Sequence, residues 1–217
     1  MGLSEKKRQK KLAKRASKRK EKLSAKKVSE ALGEVMGKIN QVMLASTSPL
    51  HECLAPENLF EIGIGNVVIS RKISADRIGI SIFLVDVFCL GVKEALFTIS
   101  PKIKYDESIE NLKLEQGAKY IDPACAVKLI DGAVAYAEDL GFTPHRDYAV
   151  AMKIFCDINP QDCQHNFEFG KDGTPLFFAG PNDTPAKCKR IIETLEKRCG
   201  TNGYNYISMP DNDNIDG

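Results

Sequence analysis

Between Asp86 and Lys93 the chain reads Asp-Val-Phe-Cys-Leu-Gly-Val-Lys, placing a carboxylate, a thiol and an amine within eight positions where a strongly apolar run ends. If a short helix begins here, Cys89 near its N-terminus would have its thiolate favoured by the unpaired N–H groups. His145, in Pro144-His-Arg-Asp147 ahead of another expected helix, could act as the base for that thiol. It could equally serve as the acid–base group of a phosphodiester cleavage beside Asp86 or Asp147. On this reading the chain is a small hydrolase or nuclease using Asp86, Cys89, Lys93, His145 and Asp147. Each residue also has a plainer role: Cys89 as a small core hydrophobe, Asp147 as a helix cap, His145 as a loop residue bonded to backbone. No motif ties the five into one unit, so the sequence favours the plainer roles and no catalytic residue is assigned.

Cofactor and metal signals are weak. Cys156, Cys163, His165 and Cys188 could be drawn around one zinc, but their spacing does not form paired knuckles. Gly63-Ile-Gly65 lacks the third glycine and the preceding strand of a dinucleotide fingerprint, and no GxxxxGK[ST] occurs. The sequence therefore calls for no cofactor and no metal.

The clearest functional element is a basic arm over residues 1–27. It carries Lys6, Lys7, Arg8, Lys10, Lys11, Lys14, Arg15, Lys18, Arg19, Lys20, Lys22, Lys26 and Lys27. Between Glu5 and Lys27 these 13 cations face two Glu, a net of +11; the whole chain is +2, so the remainder carries −9. A solvated basic face is the ordinary meaning of a charge run, but this density exceeds what solubility needs and points to a polyanion. Lys and Arg neutralise phosphates and release condensed counterions whatever the base sequence. No aromatic residue occurs before Phe60, so the arm has no ring to stack on bases, and base selectivity must come from elsewhere. RNA, ribosomal RNA included, is preferred over duplex DNA. The arm is rich in helix formers, yet its apolar residues are too sparse for a burying stripe, so it is expected to be disordered when free and helical on a polyphosphate.

The seven cysteines are odd in number and dispersed, which suits a reducing compartment. The most apolar run, Ile78 to Val92, is broken by Ser81, Asp86 and Gly91, so no membrane span is expected. No apolar segment follows the basic N-terminus as an export signal requires. A cytoplasmic location follows, or a nuclear one if the source is eukaryotic.

The elements that must position these residues are legible in part. Val28, Ala31, Leu32, Val35, Met36, Ile39, Val42 and Met43 fall on one face of an amphipathic helix over 28–46, suited to the core or to a partner helix. Beyond a loop containing Pro56, Asn66 to Ile73 and Arg77 to Val87 predict an antiparallel pair around Ser74-Ala-Asp76, the second strand apolar on both faces. A short helical element is expected over Val92 to Phe97. Asp122-Pro123 and Thr184-Pro185 are cap-and-proline helix starts, the first helix closing at Gly141 and the second at Gly200. A further helix is expected over Asp147 to Phe155, a hairpin of 167–169 with 176–178, and a last strand over 204–209. Residues 210–217 form an acidic tail expected to be disordered.

The order of the blocks Val68-Ile-Ser-Arg71, Phe83-Leu-Val-Asp86 with Cys89-Leu-Gly-Val-Lys93, Tyr136-Ala with Leu140-Gly-Phe-Thr-Pro-His145, Phe169-Gly-Lys-Asp-Gly-Thr-Pro175 and Gly180-Pro181 resembles a widespread family of uncharacterised bacterial proteins. The likeness spans about Asn66 to Tyr206. It implies a bacterial cytoplasmic source and transfers no activity to any residue.

The expected protein is thus a single α+β domain over 60–209, with a mostly antiparallel central sheet and helices packed on it, preceded by the amphipathic helix and the arm. Its expected function is noncatalytic association with RNA or the ribosome. The alternatives are the hydrolase or nuclease above and a protein–protein adaptor acting through the 28–43 face.

Overall fold

Alternating β-branched and aromatic residues around a tight turn produce the middle of a five-stranded antiparallel sheet in the computed structural model, which describes residues 20, 26–27, 33–181 and 183–207. The strands are β1 (Leu50–Pro56), β2 (Ile64–Lys72), β3 (Arg77–Asp86), β4 (Gly91–Pro101) and β5 (Ala118–Tyr120), in the order β4-β3-β2-β1-β5. The expected β2–β3 pair holds, with Val67 opposite Phe83, and Ile73 and Ser74 close its turn by donating their N–H groups to the Arg77 carbonyl.

The segment expected to be helical, Val92 to Phe97, is instead part of β4, whose Phe97 lies opposite Ser81 of β3. The reason is close packing. Gly91 has φ +63, and a Cβ there would come within 2.7 Å of the Ala133 carbonyl oxygen, so the chain turns tightly against a helix and returns as a strand. The loop expected around Pro56 contains β1, which pairs with both β2 and β5, so the domain begins before residue 60.

Helix α1 covers residues 33–46, and Met1–Gln41 and Val42–Gly217 form two separate compact units. Its apolar face is divided: Val42 and Ala45 are buried in the larger unit's core, Ile39 is half-buried, and Val35, Met36, Met43 and Leu44 are exposed. Val28, Ala31 and Leu32 of the expected stripe lie outside the described residues, as do the tail and ten of the arm's thirteen cations. The other three, Lys20, Lys26 and Lys27, are helical and exposed.

Helix α3 (Lys102–Gln116) carries the chain from the β4 edge to the β5 edge and covers one sheet face with Tyr105 and Ile109 against Leu54, Val68, Ile78 and Ile80. The opposite face is covered by α4 (Pro123–Asp139), whose first turn is capped by Asp122 accepting the N–H groups of Ala124 and Cys125. Its apolar stripe of Ala126, Leu129, Ile130, Ala133, Val134 and Ala137, continued by Leu140 at its C-terminal end, is buried. Strand β3 is therefore covered on both sides, as its two apolar faces require.

The helix expected over 147–155 is α5 (Tyr148–Ala151) tightening into a 3₁₀ turn, Met152–Phe155. Residues 171–174 form the expected turn, but the flanking segments do not pair as a hairpin. Instead β6 (Leu176–Phe178) pairs in parallel with β7 (Asn205–Ile207), while Phe167 and Phe169 pack against Phe60. Between them runs α6 (Pro185–Cys199), capped by the Thr184 hydroxyl accepting from Lys187 N–H, with Ile191 and Leu195 buried. Short α2 (Leu59–Ile62) ends at Gly63, in the left-handed conformation.

Two cysteines depart from the expectation of free thiols: Cys125 and Cys163 form a disulfide. The Cys125 thiol lies in the first turn of α4, and the loop after α5 brings Cys163 beside it. That bond removes Cys163 from the imagined zinc set.

Candidate ligand pocket

Strand β3 ends at Asp86, and the four residues after it form a turn. Phe88 and Cys89 N–H donate to Asp86 Oδ1 at 3.0 and 2.9 Å, so the carboxylate organises the turn from inside. Three other segments are hydrogen-bonded to the same turn. Val87 N–H donates to the Gly63 carbonyl, Gly170 N–H to the Val87 carbonyl, and Leu176 N–H to the Phe88 carbonyl.

The segments meeting there enclose a pocket of about 460 Å³. Its walls come from Ile62 and Ile64, from Phe88, and from Leu176, Phe178 and Pro181. Among the described residues that line it, Asp86 and Lys93 alone are ionisable. Phe178 and Ile62 are more than half exposed and stand at the rim, whereas Asp86 is 5% exposed and lies deep. An apolar cleft with a few convergent polar groups is the ordinary form of a small-molecule site.

Burial raises the Asp86 carboxyl to about 6, against the opposing pull of the turn's N–H groups and the Lys93 charge. Lys93, on β4, places its Nζ 3.7 Å from Asp183 Oδ2. Asp183 is already engaged: Lys187 Nζ lies 2.6 Å from Oδ1, and Gly180 N–H donates to Oδ2 at 2.9 Å. Burial raises the Asp183 carboxyl, but the Lys187 bond, the Gly180 N–H and the two lysine charges outweigh it and hold the group below its ordinary value. Lys93 thus has ion-pair attraction to Asp183 without a close bond to it, and its donors remain directed by what else is near.

Of the five residues that sequence reasoning grouped, the structure brings Asp86 and Lys93 to one pocket. Cys89 does not sit at a helix N-terminus; it is in the turn, buried with Leu90, Leu140, Phe177 and Leu195. Burial first, and then the Asp86 charge, push its thiol pKa up, so the thiolate is disfavoured. His145 is held in a loop by its own N–H donating to the Val92 carbonyl, and its Nδ1 accepts from Asp147 N–H. Neither His145 nor Asp147 lines the pocket, and the Asp147 side chain makes no cap hydrogen bond. The Tyr136 hydroxyl is buried without a hydrogen-bond partner, close against Gly170, and also lies outside the lining.

Sequence reasoning missed Phe88, Phe178 and Asp183. For Asp183 the only signal was position, one residue before the Thr184-Pro185 helix start; for the two Phe there was none beyond their apolarity. Among the described residues no cluster of three or more His, Cys, Asp or Glu could hold a metal ion. None of the described helices is long and apolar enough to cross a membrane.

Fold and pocket define an α+β protein with an apolar cleft at the end of strand β3. No protein-family model, curated protein or solved structure matches the chain.

Proposed function

We propose that the protein associates with RNA, free or ribosomal, through its basic arm, without catalysing a reaction on it. The observation that carries this reading is the segregation of charge: a net of +11 lies between residues 5 and 27, and −9 on the rest of the chain. Solubility does not require such a division, because charges of both signs interspersed over the surface solvate a protein as well. It provides phosphate affinity in the arm and leaves the acidic remainder repelled by a phosphate backbone.

The test is RNA affinity against salt for the full chain and for a full-length variant with the thirteen arm cations replaced by Gln. The expected result is a steep fall in the native chain's affinity between 50 and 200 mM salt, on the order of 10³-fold for six or more phosphate contacts, and a near-flat weak response in the variant. Equal affinities of the two proteins at about 150 mM salt would sink the proposal.

A further inference from the structure

We propose that the pocket at the end of β3 binds an uncharged planar heterocycle presenting a hydrogen-bond donor beside an acceptor, the edge that an unpaired nucleobase carries, with guanine the best match.

Size sets the first limit. At about 460 Å³ the pocket falls in the range of small-molecule sites and takes one heterocycle with its sugar at the mouth. Charge sets the second. Asp86 and Asp183 face Lys93 and Lys187, so the immediate surroundings are balanced and a ligand of net charge would enter an apolar cleft unpaired. A phosphate would meet the buried Asp86 carboxylate, and an ammonium group would meet Lys93. A purely apolar chain would cover both polar groups and satisfy neither.

Hydrogen-bond directions set the third. The Phe88 and Cys89 N–H groups donate to Asp86 Oδ1 and the Leu90 N–H also bonds the carboxylate, which with about four acceptor positions on its two oxygens can still accept from a ligand. Lys93 can only donate, and Asp183 is already bonded by Lys187 and Gly180. The complement is a donor facing Asp86 and an acceptor facing Lys93. Guanine offers its N1–H and amino donors beside its carbonyl oxygen, so it can use the carboxylate and the ammonium together. Buried Phe88 and half-exposed Phe178 both line the pocket and give it aromatic surface beside the base, and Lys171 Nζ, 5.3 Å from the Phe88 ring centroid, lies outside the lining.

The pocket's preference stands without the arm. That the base arrives within an RNA strand rests on the arm reading above, and would give the chain the base selectivity that an arm without aromatic residues lacks.

The experiment uses the full chain and has two arms. In the first, guanosine, adenosine, cytidine and uridine are titrated by calorimetry or ligand-detected NMR against the native chain and against Lys93→Gln, Phe178→Ala and Asp86→Asn. Saturable guanosine binding, tighter than that of the other three and weakened at least tenfold by Lys93→Gln, is the expected result. Phe178→Ala alters a half-exposed rim residue, so it reads the pocket even if Asp86→Asn fails to fold. No saturable binding of any nucleoside, tighter binding of a pyrimidine, or binding that none of the variants weakens overturns the proposal.

In the second arm, a short single-stranded RNA with one guanosine is compared with the same strand abasic at that position, using the native chain and the arm variant with Gln at its thirteen cations. Retained guanosine binding with lost RNA binding in that variant supports both readings. Unchanged RNA affinity in the variant overturns the arm reading and leaves the pocket standing.

Discussion

Gly63 stands so close to Phe88 that a Cβ on it would lie 2.2 Å from the ring's Cδ2. The glycine has φ +93, ends α2, and receives the Val87 N–H on its carbonyl, so one residue fixes both the helix end and the ring that walls the pocket. Gly63→Ala should therefore cost about 2–4 kcal/mol, from the left-handed backbone and the displaced ring together. Gly117 also has a positive φ, but a Cβ there meets nothing within 4 Å, and Gly117→Ala should cost only about 1–2 kcal/mol. Urea midpoints of the two variants check the difference.

The Asp86 carboxyl titrates near 6 in the folded chain, above the ordinary Asp value near 3.8. The folded state therefore holds this proton more tightly than the unfolded one, and its stability falls as pH rises from about 4 to about 6. Above that window the loss is constant, on the order of 3 kcal/mol for a shift of about two pH units. Asp86→Asn keeps an oxygen for the Phe88 and Cys89 N–H groups and has no proton to lose. The stability difference between native chain and variant should shift in the variant's favour by about that amount from pH 4 to pH 7; a difference independent of pH would refute the assignment. Lys93 and Cys89 face the same carboxylate and are unchanged in the variant, so the comparison isolates Asp86.

Arg71, 3% exposed on β2, donates to the carbonyls of Ser48, Ile154 and Phe155 and pairs with Asp157 at 2.7 Å. It ties the 3₁₀ turn after α5 to the sheet. Arg71→Met should destabilise the fold by about 3–5 kcal/mol, because the carbonyls lose their donors and stay covered. Asp157 is 79% exposed, so Asp157→Asn should cost at most about 1 kcal/mol. Comparable losses from the two variants would show that the ion pair, and not the carbonyl bonds, carries the latch.

The Cys125–Cys163 disulfide closes a loop with a sequence separation of 38. The chain-entropy model gives about 4 kcal/mol for a loop of that length. Thermal unfolding of the native chain should therefore shift to lower temperature on adding reductant, and the Cys125→Ala/Cys163→Ala double variant should not respond. A native chain that ignores reductant would mean the bond is absent in solution.

The elements legible in the sequence were those whose signals are local. Asp122-Pro123 and Thr184-Pro185 marked two helix starts because a cap and a first-turn proline act on their own backbone. The two apolar faces of 78–87 marked a strand covered on both sides, because successive side chains of a strand point to opposite faces and those of β3 are buried on each. Helix α3 was missed because it buries only Tyr105 and Ile109, too few for a stripe, while Ile103 and Leu114 remain exposed. Strand β4 was misread because its conformation is set by Gly91 packing against Ala133, forty-two residues away in sequence.

The charge division was determined by the sequence itself, since net charge is a sum over residues and needs no fold. The same holds for the α+β class, which follows from hydrophobic period. What only the tertiary structure decided is the company each chemical group keeps. Asp86 and Lys93 share a cleft, Cys89 is sealed into the core beside them, and His145 lines no part of it. The cleft's Phe178 lies ninety-two positions beyond Asp86, on β6, which pairs in parallel with β7. Contacts at such separations are selected by the whole set of packed layers at once, and no window of neighbouring residues contains them.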